Sequence, residues 1–165
     1  MITLKNAEQI EKMRIAGALL SEILCSLRAQ ILPGITTKQL DRQAEQMIRD
    51  AGAIPSFKGY NGFPWSICAS PDAAVVHGFP DDKPMREGQI LSIDCGLVLN
   101  GWQADSAFTA AIGEISPEAE KLISVTEECF WLAVEQCRVG KRLGDIGAAV
   151  QTHAEAHGYG VIRDL

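Results

Sequence analysis

Two aspartates, Asp94 and Asp105, flank a tight-turn dipeptide in the stretch QILSIDCGLVLNGWQADSAFT that runs from Gln89 to Thr109. Carboxylates held side by side repel, and at least one resists ionising unless a cation lies between them. Hard divalent ions take oxygen ligands, and two metals about 3.5–4 Å apart are commonly bridged by carboxylates. The pair is read either as a metal site or as two solvated acids on the open face of a hairpin. Ser92, Thr109 and few charges surround it, which brings the two readings level.

Whether the two acids share a surface depends on the backbone. Gln89–Gly96 and Trp102–Ala110 both alternate in polarity, and Asn100-Gly101 between them is a strong short-range hairpin signal. Side chains two apart share a strand face. Leu91, Ile93, Cys95, Trp102, Ala104 and Phe108 then form an apolar face, and Ser92, Asp94, Gln103, Asp105 and Thr109 the other. A two-residue turn pairs Leu99 with Trp102 and leaves the aspartates diagonal, roughly 7–8 Å apart at Cα. A four-residue loop from Val98 to Gly101 sets them directly opposite, at roughly 5 Å. Either register keeps both on one face, and a one-residue slip separates them.

Other residues invite chemistry less strongly. His77, in VVHGFP, is expected at a strand end, where it is either structural or a donor to a substrate carbonyl or oxyanion. His153 and His157 have metal-ligand spacing on a helix. HAEAH is nevertheless not HExxH, because Glu155 points off the histidine face, and a role at the helix C-terminus is the ordinary alternative. Tyr60, Phe63, Trp65 and Cys68 form an aromatic and sulfur-bearing group between glycines, a packed core or the wall of a pocket. There is no GKS/T phosphate loop, no Gly-x-Ser-x-Gly and no plausible Cys–His nucleophile pair.

The elements that must carry these residues follow from caps and periodicity. Asn6 with Gln9 opens a helix whose stripe is Ile10, Met13, Gly17, Leu20, Leu24, Leu27 and Ile31, ended by Pro33-Gly34. Thr36 or Thr37 caps a second helix with Leu40, Ala44, Met47 and Ala51 inward and Gly52 at its end. Loops and short strands follow from Ala53 to the hairpin. Ser116-Pro117 starts a third helix with Leu122, Val125, Cys129 and Leu132 inside. A fourth is expected from Asp145 to His157, with a strand beginning at Val161-Ile162. Gly34, Leu40 and Gly52 match Gly140, Ile146 and Gly158 at one constant offset, a faint internal copy.

Composition bounds the class. The 165 residues suit one domain, or a large part of a bigger one, and 47% apolar with 22% charged is ordinary for a globular protein. A net charge of −6 without a basic cluster argues against nucleic acid or an anionic membrane as partner. No secretory leader or membrane span is read, and five scattered cysteines without a CxxC fit reduced thiols in the cytoplasm.

The phrases PSFKGYNGFPWSICASPDAAVVHGFPDD and LSIDCGLVLNGWQADSAFT closely resemble the type I methionine aminopeptidases, and the resemblance covers essentially the whole chain. It implies the α+β pita-bread fold of two pseudo-symmetric halves, the first over about 1–113 and the start of the second over about 114–165. It implies an enzyme that removes initiator methionine from nascent polypeptide N-termini with two divalent ions (Co, Mn, Fe or Zn). In such enzymes two Asp, one His and two Glu hold the metals. Asp94 matches a terminal ligand, Asp105 a bridging one, and His77 a catalytic group that hydrogen-bonds substrate beside the scissile bond. Tyr60, Phe63 and Cys68 match the methionine pocket. Phe63 replaces a common Tyr, Phe57 a smaller residue, and Asp72-Ala73 an Asn-Glu pair.

The third ligand, a histidine in a GHGIG-like motif, is expected just past Arg163-Asp164-Leu165, with the two glutamates later still. On this reading the 165 residues are one incomplete catalytic domain, inactive in isolation. They would be a fragment, or a piece completed by a complementary C-terminal segment or a swapped copy. The competing expectations are a non-catalytic pita-bread module that binds a ribosome or nascent chain, and a prolyl-type peptidase of the same fold.

Overall fold

The computed structural model describes residues 3–163. The chain divides after Ile115 into two compact units.

The first unit is built on β3 (Ile90–Leu99), which is paired along both edges. Along one edge runs β4 (Trp102–Ala111), antiparallel over its full length from Leu99↔Trp102 to Ile90↔Ala111. Along the other lie, end to end, β2 (Ile67–Pro71), paired with Leu91–Cys95, and the short β1 (Ile54–Pro55), paired with Leu97 and Val98. Asn100 and Gly101 both take positive φ, 51° and 83°, the backbone a two-residue hairpin turn demands. The register is thus the diagonal one.

Alternation in β3 settles which face is covered. Leu91, Ile93, Cys95 and Leu97 are fully buried, and against them pack α1 (Ala7–Ala29) and α2 (Thr37–Asp50) through Leu20, Ile23, Leu24, Leu27, Leu40, Ala44 and Ile48. Both helices open with a reciprocal capping box: Asn6 with Gln9, and Thr36 with Gln39. Three details differ from the sequence reading. Ile10 and Met13 are exposed, because α1 meets the sheet only from Ala16 onward. The helix ends at Ala29, ahead of Pro33-Gly34. In α2 the inward residue at the C-terminal turn is Ile48, four residues on from Ala44 as Ala44 is from Leu40, while Ala51 lies past the helix end and is exposed.

The second unit holds α3 (Pro117–Gln136) and α4 (Leu143–Ala156). Ser116 Oγ accepts from Ala119 N at 3.2 Å and Pro117 opens the first turn. Val125, Cys129 and Ala154 form the small core, with Val150 and Tyr159 against it, whereas Leu122 is exposed. α4 begins two residues earlier than expected. Asp145 is the third helical residue, and its carboxylate accepts from Arg142 N at 2.7 Å. No strand forms at Val161-Ile162, because a strand needs a neighbour's N–H and C=O groups and none among the described residues pairs there. Asp164 and Leu165 lie outside the described residues. Gly34 and Gly140 share a left-handed φ (95° and 89°), as do Gly52 and Gly158 (74° and 83°). No described helix is long and apolar enough to cross a membrane.

Candidate functional site

The face of β3 turned away from the helices carries Ser92, Asp94 and Gly96, and across the ladder the matching face of β4 carries Asp105, Ala107 and Thr109. Asp94 faces Ala107, Asp105 faces Gly96, and the two acids lie diagonally between those pairs. On the opposite edge Cys68 of β2 faces Asp94, so its thiol joins the same surface. Ser92 and Thr109 close one end through a 2.8 Å hydroxyl–hydroxyl bond.

The electrostatics follow from that placement. Asp94 is pushed up to about 6, first by burial, then by the Asp105 charge and a hydrogen bond between the two carboxyls; His77 and the Cys95 N–H oppose the rise. Its Oδ1 is buried with no hydrogen-bond partner among the described residues, whereas Asp105 is exposed. A buried carboxylate oxygen without a donor is costly, and a like charge beside it adds to the cost. A cation between the two acids removes both terms, so the residues present fit a divalent ion. Cys68 is pushed up to about 11 by burial and then by Asp94 and Asp105, which keeps it a neutral thiol and no nucleophile.

His77 is placed by a loop and not by a strand end. Val75 and Val76 are exposed, His77 has φ 57°, and nothing from Asp72 to Pro80 is extended in a ladder. What fixes the loop is Gly78. Its carbonyl accepts from Ala69 N at 2.9 Å and its N–H donates to Ser70 Oγ at 3.0 Å, so it runs along the free edge of β2. A Cβ on Gly78 would stand 2.1 Å from Ala69 O, so the close approach needs a glycine. The imidazole lies near enough to favour the Asp94 carboxylate.

The aromatic group is only partly gathered. Phe63 packs edge-on to Phe79, with ring centroids 5.2 Å apart at 89°. Tyr60 stands 70% exposed on a 3-10 turn (Tyr60–Gly62), tied back by Tyr60 N donating to Phe57 O at 3.0 Å. Phe57 covers Gly96, where a Cβ would come within 2.7 Å of its ring and 2.3 Å of Ser56 Oγ. Phe57 therefore stands over the same face as the acid pair. A cavity of about 450 Å³ lined in part by Thr37, Phe79, Lys83 and Arg86 includes neither aspartate.

Two contributors escaped the sequence reading. Phe79 completes the edge-on pair with Phe63, and nothing local to HGFP marks it for that. Asp41, buried in α2, accepts from Ser66 N at 2.7 Å and Ile67 N at 3.2 Å and so anchors the start of β2, the strand that presents Cys68. Its signal was available, since Asp41, Ala44 and Ile48 follow helical spacing and place an acid on an inward face.

The family model for metallopeptidase family M24 matches residues 11–164. A relative from Clostridium acetobutylicum named methionine aminopeptidase is 52% identical over 99% of this chain and 66% of its own length. One of the same name from Clostridium perfringens is 50% identical over 100% of this chain and 66% of its own. The crystal structure of methionine aminopeptidase from Rickettsia prowazekii superposes with a TM-score of 0.98 at 38% identity, covering 99% of this chain and 66% of that one. The chain thus spans just under two thirds of the length of the relatives it matches.

Proposed function

This chain belongs to metallopeptidase family M24 and has the pita-bread fold, and from that premise we propose that it serves a methionine aminopeptidase that removes initiator methionine from nascent chains in the cytoplasm. The observation that carries the reading is the diagonal Asp94–Asp105 pair with its partnerless buried oxygen, a donor set that asks for cations. Asp94 and Asp105 are the proposed metal ligands, and two ions is the proposed count. A divalent pair held by these acids would supply a lowered pKa for water and polarisation of the scissile carbonyl.

The chain's own residues then divide the remaining work. His77, held over the β2 edge, donates a hydrogen bond to the substrate beside the scissile bond, which stabilises negative charge developing there. Cys68 offers a neutral, polarisable surface to a methionine thioether, and Phe63, with Phe79 behind it, offers an aromatic edge. Tyr60 closes the pocket from the exposed turn. Phe57 over Gly96 narrows it on the side of the acids. The names carried by the relatives favour this peptidase over a partner-binding module and over a prolyl peptidase.

Two carboxylates are fewer ligands than a metal pair requires, because affinity depends on ligand number and geometry. We expect these 165 residues to gain activity only with a segment that supplies one His and two Glu. The test is co-expression with such a segment and an assay of methionine release from short peptides with Mn, Fe, Co and Zn. Metal-dependent release that disappears with Asp94→Ala supports the reading. No release with any of these ions overturns it.

A further inference from the structure

We propose that Glu128, His153 and His157 form a further divalent-metal site, of the zinc class, bridging α3 and α4. None of the three belongs to the aspartate pair or to its pocket. The histidines are one helical turn apart on α4, with ring centroids 4.4 Å apart and tilted by 49°. Glu128 reaches in from α3 with Oε2 2.7 Å from His153 Nε2. One ligand atom from each residue lies within 4.8 Å of the other two. Tetrahedral zinc with bonds of about 2.0–2.1 Å holds its ligand atoms roughly 3.3 Å apart. Opening the shortest separation and closing the longest needs only small side-chain rotations on a helix surface.

The surroundings prepare the donors. His157 Nδ1 lies 2.9 Å from the His153 carbonyl, which can only accept, so Nδ1 carries a hydrogen and Nε2 is the nitrogen that offers a lone pair in the neutral ring. A ligating histidine commonly donates its other N–H to a backbone carbonyl in this way. Glu128 Oε1 accepts from Ser124 Oγ at 3.3 Å, which steadies the carboxylate. Glu155 is engaged by Gln151 Nε2 at 2.7 Å and does not compete. A plain ion pair accounts for Glu128 with His153, and a helix-end hydrogen bond for His157 Nδ1, but neither engages His157 Nε2.

Two imidazoles and one carboxylate suit zinc, nickel or copper, whereas magnesium and calcium seek oxygen-only shells. Three protein donors also leave a fourth position for water. The test is a calorimetric titration of Zn²⁺ into the full chain carrying Asp94→Asn and Asp105→Asn, with far-ultraviolet circular dichroism to confirm the fold. About one equivalent should bind, and adding His157→Gln or Glu128→Gln should weaken it at least about tenfold. Affinity unchanged by both substitutions, or no binding up to 100 µM Zn²⁺ (roughly −5.5 kcal/mol), overturns the proposal. In the unsubstituted chain, substoichiometric Ni²⁺ should broaden the ring resonances of His153 and His157, and His157→Gln should abolish this. Sharp resonances there also overturn it.

Discussion

Asp94 and Asp105 sit one diagonal apart across the β3–β4 ladder, Asp94 opposite Ala107 and Asp105 opposite Gly96, so that one carboxyl is enclosed beside Cys68 while the other looks outward. The enclosed acid feels both burial and its neighbour's charge, and it titrates at about 6.

A pH dependence follows. The folded-state pKa of Asp94 is raised above its unfolded value, so the folded chain binds the extra proton between the two. Its contribution to stability is therefore complete below about pH 4 and is lost as pH rises through about 6. With chelator present, urea unfolding should give a free energy lower by about 1 kcal/mol at pH 7 than at pH 4.5 from this group, after solvent screening. Asp94→Asn should flatten that part of the profile. A profile identical in the two proteins refutes the assignment.

The two glycines beside the site should differ in tolerance. Gly78→Ala drives a methyl into the Ala69 carbonyl, a backbone atom that cannot move without breaking the β2 edge contact. Gly96→Ala meets Ser56 Oγ and the Phe57 ring, which are side chains and can shift. Urea midpoints should show about 1–3 kcal/mol lost for Gly96→Ala and more for Gly78→Ala. Phe57→Leu should recover part of the first loss and none of the second.

Asp41 should matter for stability without touching substrate. Asp41→Ala removes the acceptor of two buried N–H groups, Ser66 and Ile67, at a cost of about 2–4 kcal/mol. Asp41→Asn keeps one acceptor oxygen and should lose less. Burial raises the Asp41 pKa, with the two N–H groups opposing. Thermal unfolding of the two variants checks the order.

His77→Ala should separate chemistry from folding. The side chain is exposed on its loop, so the melting temperature should hardly move. In the complemented enzyme kcat should fall by about 10²–10⁴ with KM little changed, the signature of a contact made mainly in the transition state. A raised KM with unchanged kcat would assign His77 to substrate binding alone.

The chain writes its local structure plainly. Asn100-Gly101 accepts positive φ at both positions, and this fixes the turn, the diagonal register and the common face of Asp94 and Asp105 within some twenty residues of sequence. The capping boxes at Asn6 and Thr36 are equally local, since each is complete within one helical turn. The packing of α1 and α2 against Leu91, Ile93, Cys95 and Leu97 follows from periodicities of 3.6 and 2, apart from the ends of the stripes.

Other features depend on contacts between distant residues, which no local pattern encodes. The enclosure of the Asp94 oxygen depends on β2 running beside β3, and β2 in turn depends on Asp41 in a helix. VVHG reads as a strand by composition, yet Gly78 pressed against Ala69 makes it a loop and sets where His77 stands. Val161-Ile162 has strand-forming residues and no paired neighbour among those described. Glu128 lies 25 residues before His153, and only the packing of α3 on α4 brings its carboxylate to the two imidazoles. Side-chain type and spacing decide what a segment can form; which groups are shut away from water, and beside what, is decided when segments remote in sequence close over one another.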